Sequence, residues 1–159
     1  MATVYTAGSY ADVLPAHPTS GIVRWAGKYT FAAGVAFTAG DSLKIFQIPK
    51  GASIVPELCM VGTTADLDAD NDFTFKYKAT DGTTTKVIIG NTASTALQGG
   101  GIAYGNTTAA DRQAYMFFKT GTNDFYAVIT AEAGELDAAA VLYYQIAFTM
   151  DTNAADVIT

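Results

Sequence analysis

Residues 41–82 carry the pattern that most constrains the fold of this chain, because strand-like runs alternate there with turn residues. In residues 43–48, apolar side chains occur at both alternating positions, which is typical of a strand buried on two faces. The sequence Pro49-Lys50-Gly51 ends this run, since proline has no N–H for a sheet and glycine accepts turn conformations. Residues 54–61 are also rich in β-forming side chains, but Pro56 among them predicts a sheet edge or a bulge.

The third run of this segment alternates strictly between apolar and polar side chains. Phe73, Phe75 and Tyr77 share one face, and threonine and lysine side chains occupy the other. One apolar and one polar face are typical of a half-buried antiparallel strand. Asp81-Gly82 then predicts a tight turn.

Short strand-like runs recur through the rest of the chain. Residues 22–37 predict two short strands separated at Gly27. Val87, Ile88 and Ile89 are consecutive, which predicts a further strand buried on both faces. Residues 132–140 are long enough for one helical turn at most. Additional strands are predicted at residues 112–119, 124–131 and 141–149, the first two forming a hairpin.

These runs amount to about nine short strands without a long helix, which predicts an all-β fold. A chain of 159 residues corresponds to one domain. We therefore expect a single-domain antiparallel β-sandwich or jelly roll over residues 22–150, with a small β-barrel as the alternative. Residues 1–21 have no periodicity and contain two prolines, so they predict an extended N-terminal arm. Residues 151–159 predict a polar C-terminal tail.

Four side chains of the arm are candidate anchors for a partner, because aromatic and aliphatic groups supply contact area at low entropic cost. The alternative is that the arm lies along its own domain or a neighbouring copy. The candidate anchors are Tyr5, Tyr10, Val13 and Leu14.

The composition indicates a surface with few charges, since 50% of the residues are hydrophobic and 15% are charged. Part of such a surface is expected to be apolar and to bind a partner. The net charge of −6 argues against nucleic-acid binding. Neither a leader peptide nor an apolar run of membrane-spanning length is visible. Cys59, the lone cysteine, is expected to be a small buried hydrophobe in a protein made in a reducing cytoplasm.

An acidic run offers the one candidate metal site, because carboxylate oxygens are the ligands that calcium prefers. The spacing departs from an EF-hand loop, which requires glycine where Asn71 stands and glutamate where Tyr77 stands. Three interpretations stay open: an irregular calcium site, a solvated acidic loop that protects a sheet edge, or a contact with a basic partner surface. No other cofactor is expected. The four carboxylates are Asp66, Asp68, Asp70 and Asp72.

The chain shows no catalytic arrangement, so we expect a protein that is not an enzyme. The acidic run lacks the apolar pocket that a glycosidase acid needs. His17, the lone histidine, stands in the arm beside no nucleophile motif. A ligand-binding sandwich is the alternative, with exposed aromatics near the glycine-rich residues 99–101: Tyr104, Tyr115 and Tyr126.

Several segments resemble a known family. IFQIPKGASIV, the acidic DLDADND, DGTTTKVIIG and the opening YTAGSYADVLPAHPTSGIVRWAGKYT are similar to segments of small virion proteins of tailed bacteriophages. These proteins are most often capsid decoration (cement) proteins. The resemblance implies a virion structural protein on the outer capsid surface, made in the bacterial host cytoplasm and bound to the major capsid protein lattice.

By symmetry, a homo-trimer or another homo-oligomer would suit an icosahedral lattice. The alternative role for a bacteriophage virion protein is a carbohydrate- or ligand-binding β-sandwich in a head fibre or in the tail.

Overall fold

The computed structural model describes residues 2–8, 21–32, 36–49, 52–63, 73–93, 97, 102–105, 125–136 and 141–150. The described elements are β1 (Val4–Thr6), β2 (Ile22–Thr30), β3 (Phe37–Thr38), β4 (Ser42–Ile48), β5 (Ala52–Ile54), a 3-10 helix (Pro56–Leu58), β6 (Met60–Thr63), β7 (Thr74–Thr80), β8 (Thr85–Ala93), β9 (Ile102–Tyr104), β10 (Phe125–Ala133), β11 (Glu135–Leu136) and β12 (Val141–Met150).

Ten of these strands build two five-stranded sheets that face each other. Sheet A has the order β1-β4-β10-β7-β8, and sheet B has the order β2-β12-β6-β9 with β5 also paired to β12. The remaining pair, β3 and β11, forms a small ribbon. Every described pairing is antiparallel except that of β1 with β4. Both sheets are open in the described residues, so the fold is a sandwich as predicted rather than the alternative barrel.

One hydrophobic core joins the two sheets. The ring of Phe46 on β4 lies 6.0 Å from that of Trp25 and 5.4 Å from that of Tyr144, both on sheet B and both edge to face. Tyr77 of sheet A donates its hydroxyl to the Gln145 carbonyl of sheet B at 3.5 Å. Burial raises the pKa of Tyr77 well above its ordinary value, so this donor keeps its proton.

β4 buries one face rather than two, and a β-bulge explains its apolar sequence. Lys44 and Phe46 pair with consecutive residues of β10, so Ile45 between them has no partner there. The extra residue shifts the alternation by one position. Leu43 and Ile45 are therefore buried before the bulge, and Phe46 and Ile48 after it. The prediction of two buried faces was wrong because it assumed regular alternation.

A bulge on β8 has the same effect. Lys78 pairs with Val87 and Tyr77 with Ile89, which leaves Ile88 as the extra residue. Ile88 and Ile89 are both buried as a result, whereas Val87 is 39% exposed. The predicted burial of this strand on both faces was therefore wrong as well.

β2 runs without a break through Gly27, where the sequence predicted a separation into two strands. Gly27 pairs with Tyr144 on β12. A Cβ at this glycine would lie 2.9 Å from the Tyr144 ring, so the ring covers the space that a side chain would fill. Glycine serves here for close packing under an aromatic ring and not for a turn.

Residues 54–61 do not form one strand, because Pro56 begins a 3-10 helix between β5 and β6. The Val55 N–H donates to the Ala147 carbonyl at 2.8 Å before the chain turns away. Proline suits a first helical position, where its missing donor costs nothing. The run is thus divided into two short strands that both pair with β12, and in the described residues β5 has β12 as its one partner, so it lies at a sheet edge as predicted.

In residues 132–136, the described part of the predicted helical turn at 132–140, the chain is extended instead. β10 continues to Ala133, and Gly134 has a positive φ of 71° that turns the chain into β11. There Leu136 is buried and pairs with Phe37. The gain from burying Leu136 outweighs the helical propensity of this alanine-rich segment.

Candidate functional site

The predicted anchor Tyr5 packs against its own domain. It lies on β1, which pairs with the edge of β4. Its ring centroid is 5.7 Å from those of Phe31 and Phe37, and its hydroxyl donates to the Ala36 carbonyl at 3.1 Å. This part of the predicted arm is therefore part of the folded sheet. The other predicted anchors, Tyr10, Val13 and Leu14, lie outside the described residues, and a capsid contact of all four stays a prediction.

The acidic run also lies outside the described residues, so its calcium site stays a prediction: Asp66, Asp68, Asp70 and Asp72. Within the described ranges, no group of three or more His, Cys, Asp and Glu side chains is placed to hold a metal ion.

Asp41 is a buried carboxylate that ties β1 to the turn before β4. Its Oδ1 accepts the Thr3 N–H at 2.6 Å, and its Oδ2 accepts the Thr38 N–H at 3.0 Å and the Thr38 hydroxyl at 3.2 Å. Burial alone raises the pKa of Asp41, but these hydrogen bonds outweigh it and hold the pKa below its ordinary value. Asp41 is thus a structural anion, a role that the sequence pattern did not reveal.

Cys59 is buried as predicted. Its thiol donates to the Val55 carbonyl at 3.4 Å, and its sulfur accepts the Ala147 N–H at 3.3 Å. Burial raises the pKa of Cys59 to about 12. Since the thiolate is the nucleophile, Cys59 is part of the packing and not a reactive group.

The outer face of sheet B is the most apolar exposed surface in the described part of the chain. Four large apolar side chains on this face are well exposed: Tyr143 at 39%, Ile102 at 49%, Ile22 at 50% and Tyr104 at 55%. Strand pairing aligns two neighbouring rows of residues across β2, β12, β6 and β9. The first row is Lys28, Tyr143, Gly62 and Ile102. The second row is Ala26, Gln145, Met60 and Tyr104.

A cavity of about 190 Å³ opens on this face. Gly62 has no side chain to fill the space between Tyr143 and Ile102, and both flank the opening. The Gln145 amide donates to the Leu58 carbonyl at 2.7 Å, which fixes one wall of the cavity. The surface therefore has a preformed hollow with mainly apolar walls.

Two positively charged side chains lie on the face that carries this hollow. Arg24 and Lys28 are exposed on β2 and point to the same face as Tyr143, because Lys28 pairs with Tyr143 and Arg24 lies four pairs further along, an even number. The described rows of this face contain no Asp or Glu. This surface is thus both apolar and basic in a chain of net charge −6.

The outer face of sheet A is mainly polar, and several of its side chains interact with one another. Lys76 Nζ lies 3.3 Å from Glu132 Oε2, and Lys44 Nζ lies 5.0 Å from the centroid of the Tyr126 ring. Val128 pairs with Lys44 and Lys78 on either side and is only 4% exposed. The aliphatic stems of such lysines cover apolar surface while their ammonium groups stay in water.

The tyrosines predicted for a ligand site do not come together. Tyr104 lies on sheet B, Tyr126 lies on sheet A, and Tyr115 is outside the described residues. Tyr104 instead borders a groove of about 530 Å³ that also exposes Asn91 and Thr92 of β8.

Sequence reasoning placed Tyr143 in a strand but did not recognise it as a surface residue. The signal was present in the alternation of β12, in which Leu142, Tyr144 and Ile146 are buried and the residues between them face outward. The cavity beside Tyr143 had no comparable signal, because it depends on strands that are distant in sequence.

Of three comparisons with known proteins, the comparison with solved structures found a similar fold. No family model matches the chain, and no curated protein does. Among solved structures, a chain of the "Capsid of Ralstonia phage GP4" has a TM-score of 0.66, with 16% sequence identity, over 94% of this chain and 99% of the other. The protein is therefore an all-β sandwich whose fold also occurs in a phage capsid.

No helix in the described ranges is long and apolar enough to cross a membrane.

Proposed function

We propose that this protein is a bacteriophage virion structural protein that decorates the outside of the head, where it binds the major capsid protein lattice. The observation that carries this proposal is the fold shared with a phage capsid chain over 94% of this chain and 99% of the other. The resemblance of the sequence to small virion proteins supports the same conclusion. The role is binding and not catalysis.

The mechanism is mass action on the assembled shell. A partner that binds the assembled lattice, and not its free subunits, stabilises that lattice. Many identical weak contacts around an icosahedral head add through avidity, so each contact needs only modest affinity. A homo-trimer at the local three-fold positions of the lattice would match this symmetry.

An outer position is supported by the charge of the chain. The interior of a filled head is packed with DNA phosphates, which repel a protein of net charge −6. The outer surface imposes no such penalty.

The test is binding to shells of the source phage that were prepared without this protein. We expect cosedimentation that saturates near one copy per major capsid subunit and a higher melting temperature of the shell. Absence of binding would overturn the proposal, and saturation at a few copies per shell would indicate a vertex, fibre or tail component instead.

The role of the arm needs variants that spare the fold. Deletion of residues 1–20 would also remove β1 and the packing of Tyr5, so loss of binding would have two explanations. A variant with Tyr10→Ala, Val13→Ser and Leu14→Ser leaves β1 in place. If these side chains anchor the protein, this variant binds shells more weakly while its melting temperature is unchanged.

The groove beside Tyr104 favours a second candidate function, carbohydrate binding in a head fibre or tail. An exposed aromatic ring next to amide and hydroxyl groups is a common sugar-binding arrangement, and Asn91 and Thr92 supply these groups here. A glycan array tests it. Binding that is lost in Tyr104→Ala but kept in Tyr143→Ala would support this function over decoration.

A further inference from the structure

We propose that the outer face of sheet B is the surface that docks on the shell, and that its partner presents an apolar side chain flanked by carboxylates. The apolar side chain would enter the hollow between Tyr143 and Ile102, and the carboxylates would face Arg24 and Lys28. This inference rests on the proposed function and names the binding surface and the chemistry of its partner.

The side chains of this face are of the types that dominate binding energy in protein interfaces. Tyrosine, methionine and arginine are enriched in interfaces, and the strongest contributors sit beside preformed pockets. Tyr143, Met60 and Arg24 all lie on this face, and the cavity of about 190 Å³ has room for one large apolar side chain. The Gln145 hydrogen bond to Leu58 holds the wall in place before binding, which lowers the entropic cost of association.

The charges of the face select an acidic partner and disfavour a second copy of the same face. In a two-fold symmetric contact the same surface meets itself, so Arg24 and Lys28 would lie in an interface with a second copy of the same two positive charges. Like charges placed opposite each other oppose association, whereas carboxylates at these positions steer and orient it. The described rows of this face contain no acidic residue that would offset the repulsion.

The outer face of sheet A serves as the internal comparison. Its apolar side chain Val128 is covered, Lys76 pairs with Glu132, and Lys44 lies over Tyr126. In its described part, this sheet leaves two large apolar side chains well exposed, Val4 at 58% and Val87 at 39%, and they lie apart on its two edge strands, β1 and β8. In the described residues, the outer face of sheet B therefore carries a preformed hollow, whereas the outer face of sheet A is mainly solvated.

The experiment measures shell binding for matched pairs of variants, with shells of the source phage that lack this protein as the probe. Ile102→Ser on β9 is matched by Val87→Ser on β8, since both remove an exposed β-branched side chain from a strand. Lys28→Glu is matched by Lys78→Glu, since each reverses the charge of one lysine on the outer face of a sheet. We expect at least tenfold weaker binding for the sheet B variants, little change for the sheet A variants, and unchanged melting temperatures for all of them.

The outcomes separate this inference from the proposed function. If the unaltered protein does not bind shells, the proposed function fails and the inference fails with it. If the unaltered protein binds and Ile102→Ser binds equally well, the function stands and the assignment of the face is overturned. Sedimentation in the absence of shells adds one further outcome: self-association that Ile102→Ser abolishes would show that a second copy covers the face, which also overturns the inference.

Discussion

At the scale of single residues, Asp41 shows how one buried carboxylate holds the start of the chain in the fold. It accepts hydrogen bonds from Thr3 and Thr38, and these hold its pKa below the ordinary value of an aspartate. A group whose folded-state pKa is lowered adds stability above its unfolded pKa, and this stability is lost as the pH falls through the folded value. Asp41 therefore stabilises the fold at neutral pH and ceases to do so in acid.

Asp41→Asn tests this role. We expect the free energy of unfolding to fall by about 1–3 kcal/mol at neutral pH, because the amide cannot accept all three hydrogen bonds that the carboxylate accepts. The difference in stability between the variant and the unaltered protein should shrink as the pH falls below 3.8, the ordinary pKa of an aspartate. Thermal melts across the pH range measure this difference. Asp81→Asn is the control, since Asp81 also accepts two backbone N–H groups but in an exposed turn. An equal loss in both variants, or a difference independent of pH, would contradict the prediction.

Cys59 should be unreactive in the folded protein. Its pKa of about 12 leaves the thiol protonated at neutral pH, and the protonated form is not a nucleophile. A thiol reagent such as DTNB should modify Cys59 only after denaturation. Rapid stoichiometric reaction under native conditions would show that the site opens, contrary to its burial.

Gly27 and Gly90 form a matched pair of strand glycines. A Cβ at Gly27 meets the Tyr144 ring at 2.9 Å, whereas a Cβ at Gly90 meets nothing within 4 Å. We expect Gly27→Ala to destabilise the protein by about 1–3 kcal/mol through overpacking. Gly90→Ala should be neutral or slightly stabilising, since alanine restricts the unfolded chain. Chemical denaturation measures the free energy of unfolding of both variants. Equal changes in the two variants would mean that the packing of the Tyr144 ring does not require a glycine at position 27.

At the scale of elements, the short edge strand β9 depends on a close approach at its end. The Gly105 N–H donates to the Cys59 carbonyl at 3.0 Å, and a Cβ at Gly105 would overlap the Pro56 carbonyl. Any side chain at this position must push β9 away from the 3-10 helix. β9 carries Ile102 and Tyr104, so the outer face of sheet B depends on the same approach.

Gly105→Ala should therefore release β9 without unfolding the core. Hydrogen exchange is the measurement: we expect faster exchange in residues 102–105 and unchanged protection in β10, which lies at the centre of sheet A. Gly90→Ala is again the control. Uniform loss of protection would show that β9 unfolds together with the whole domain.

At the scale of the whole molecule, the negative charge is distributed unevenly along the chain. The described residues contain six Lys and Arg and five Asp and Glu, whereas the remaining residues contain three Lys and Arg and ten Asp. The two sheets therefore carry almost no net charge, and the acidity belongs to the other segments.

A calcium site in the acidic run predicts a dependence of stability on metal. A ligand that binds the folded state raises stability by about 2.7 kcal/mol at one hundred times its Kd. Calcium should then raise the melting temperature and a chelator should lower it, and the variant Asp68→Asn with Asp70→Asn should abolish both effects. A melting temperature that is the same with calcium and with chelator would remove the metal hypothesis and leave the solvated loop or the partner contact.

Local sequence patterns were enough to predict the all-β class and most of the longer strands, because alternation, turn residues and proline act locally and can be recognised within a few residues. The strict pattern of residues 73–78 became β7, and Cys59 was correctly expected to be buried. Only the tertiary structure decided the bulges at Ile45 and Ile88, the covering of Gly27 by Tyr144, and the anchoring of β1 by Asp41. The bulge at Ile45, the packing of Gly27 and the anchoring of β1 each depend on a partner far away in sequence. The bulge at Ile88 depends on the pairing register of β8 with β7. The hollow beside Tyr143 exists only where four strands meet.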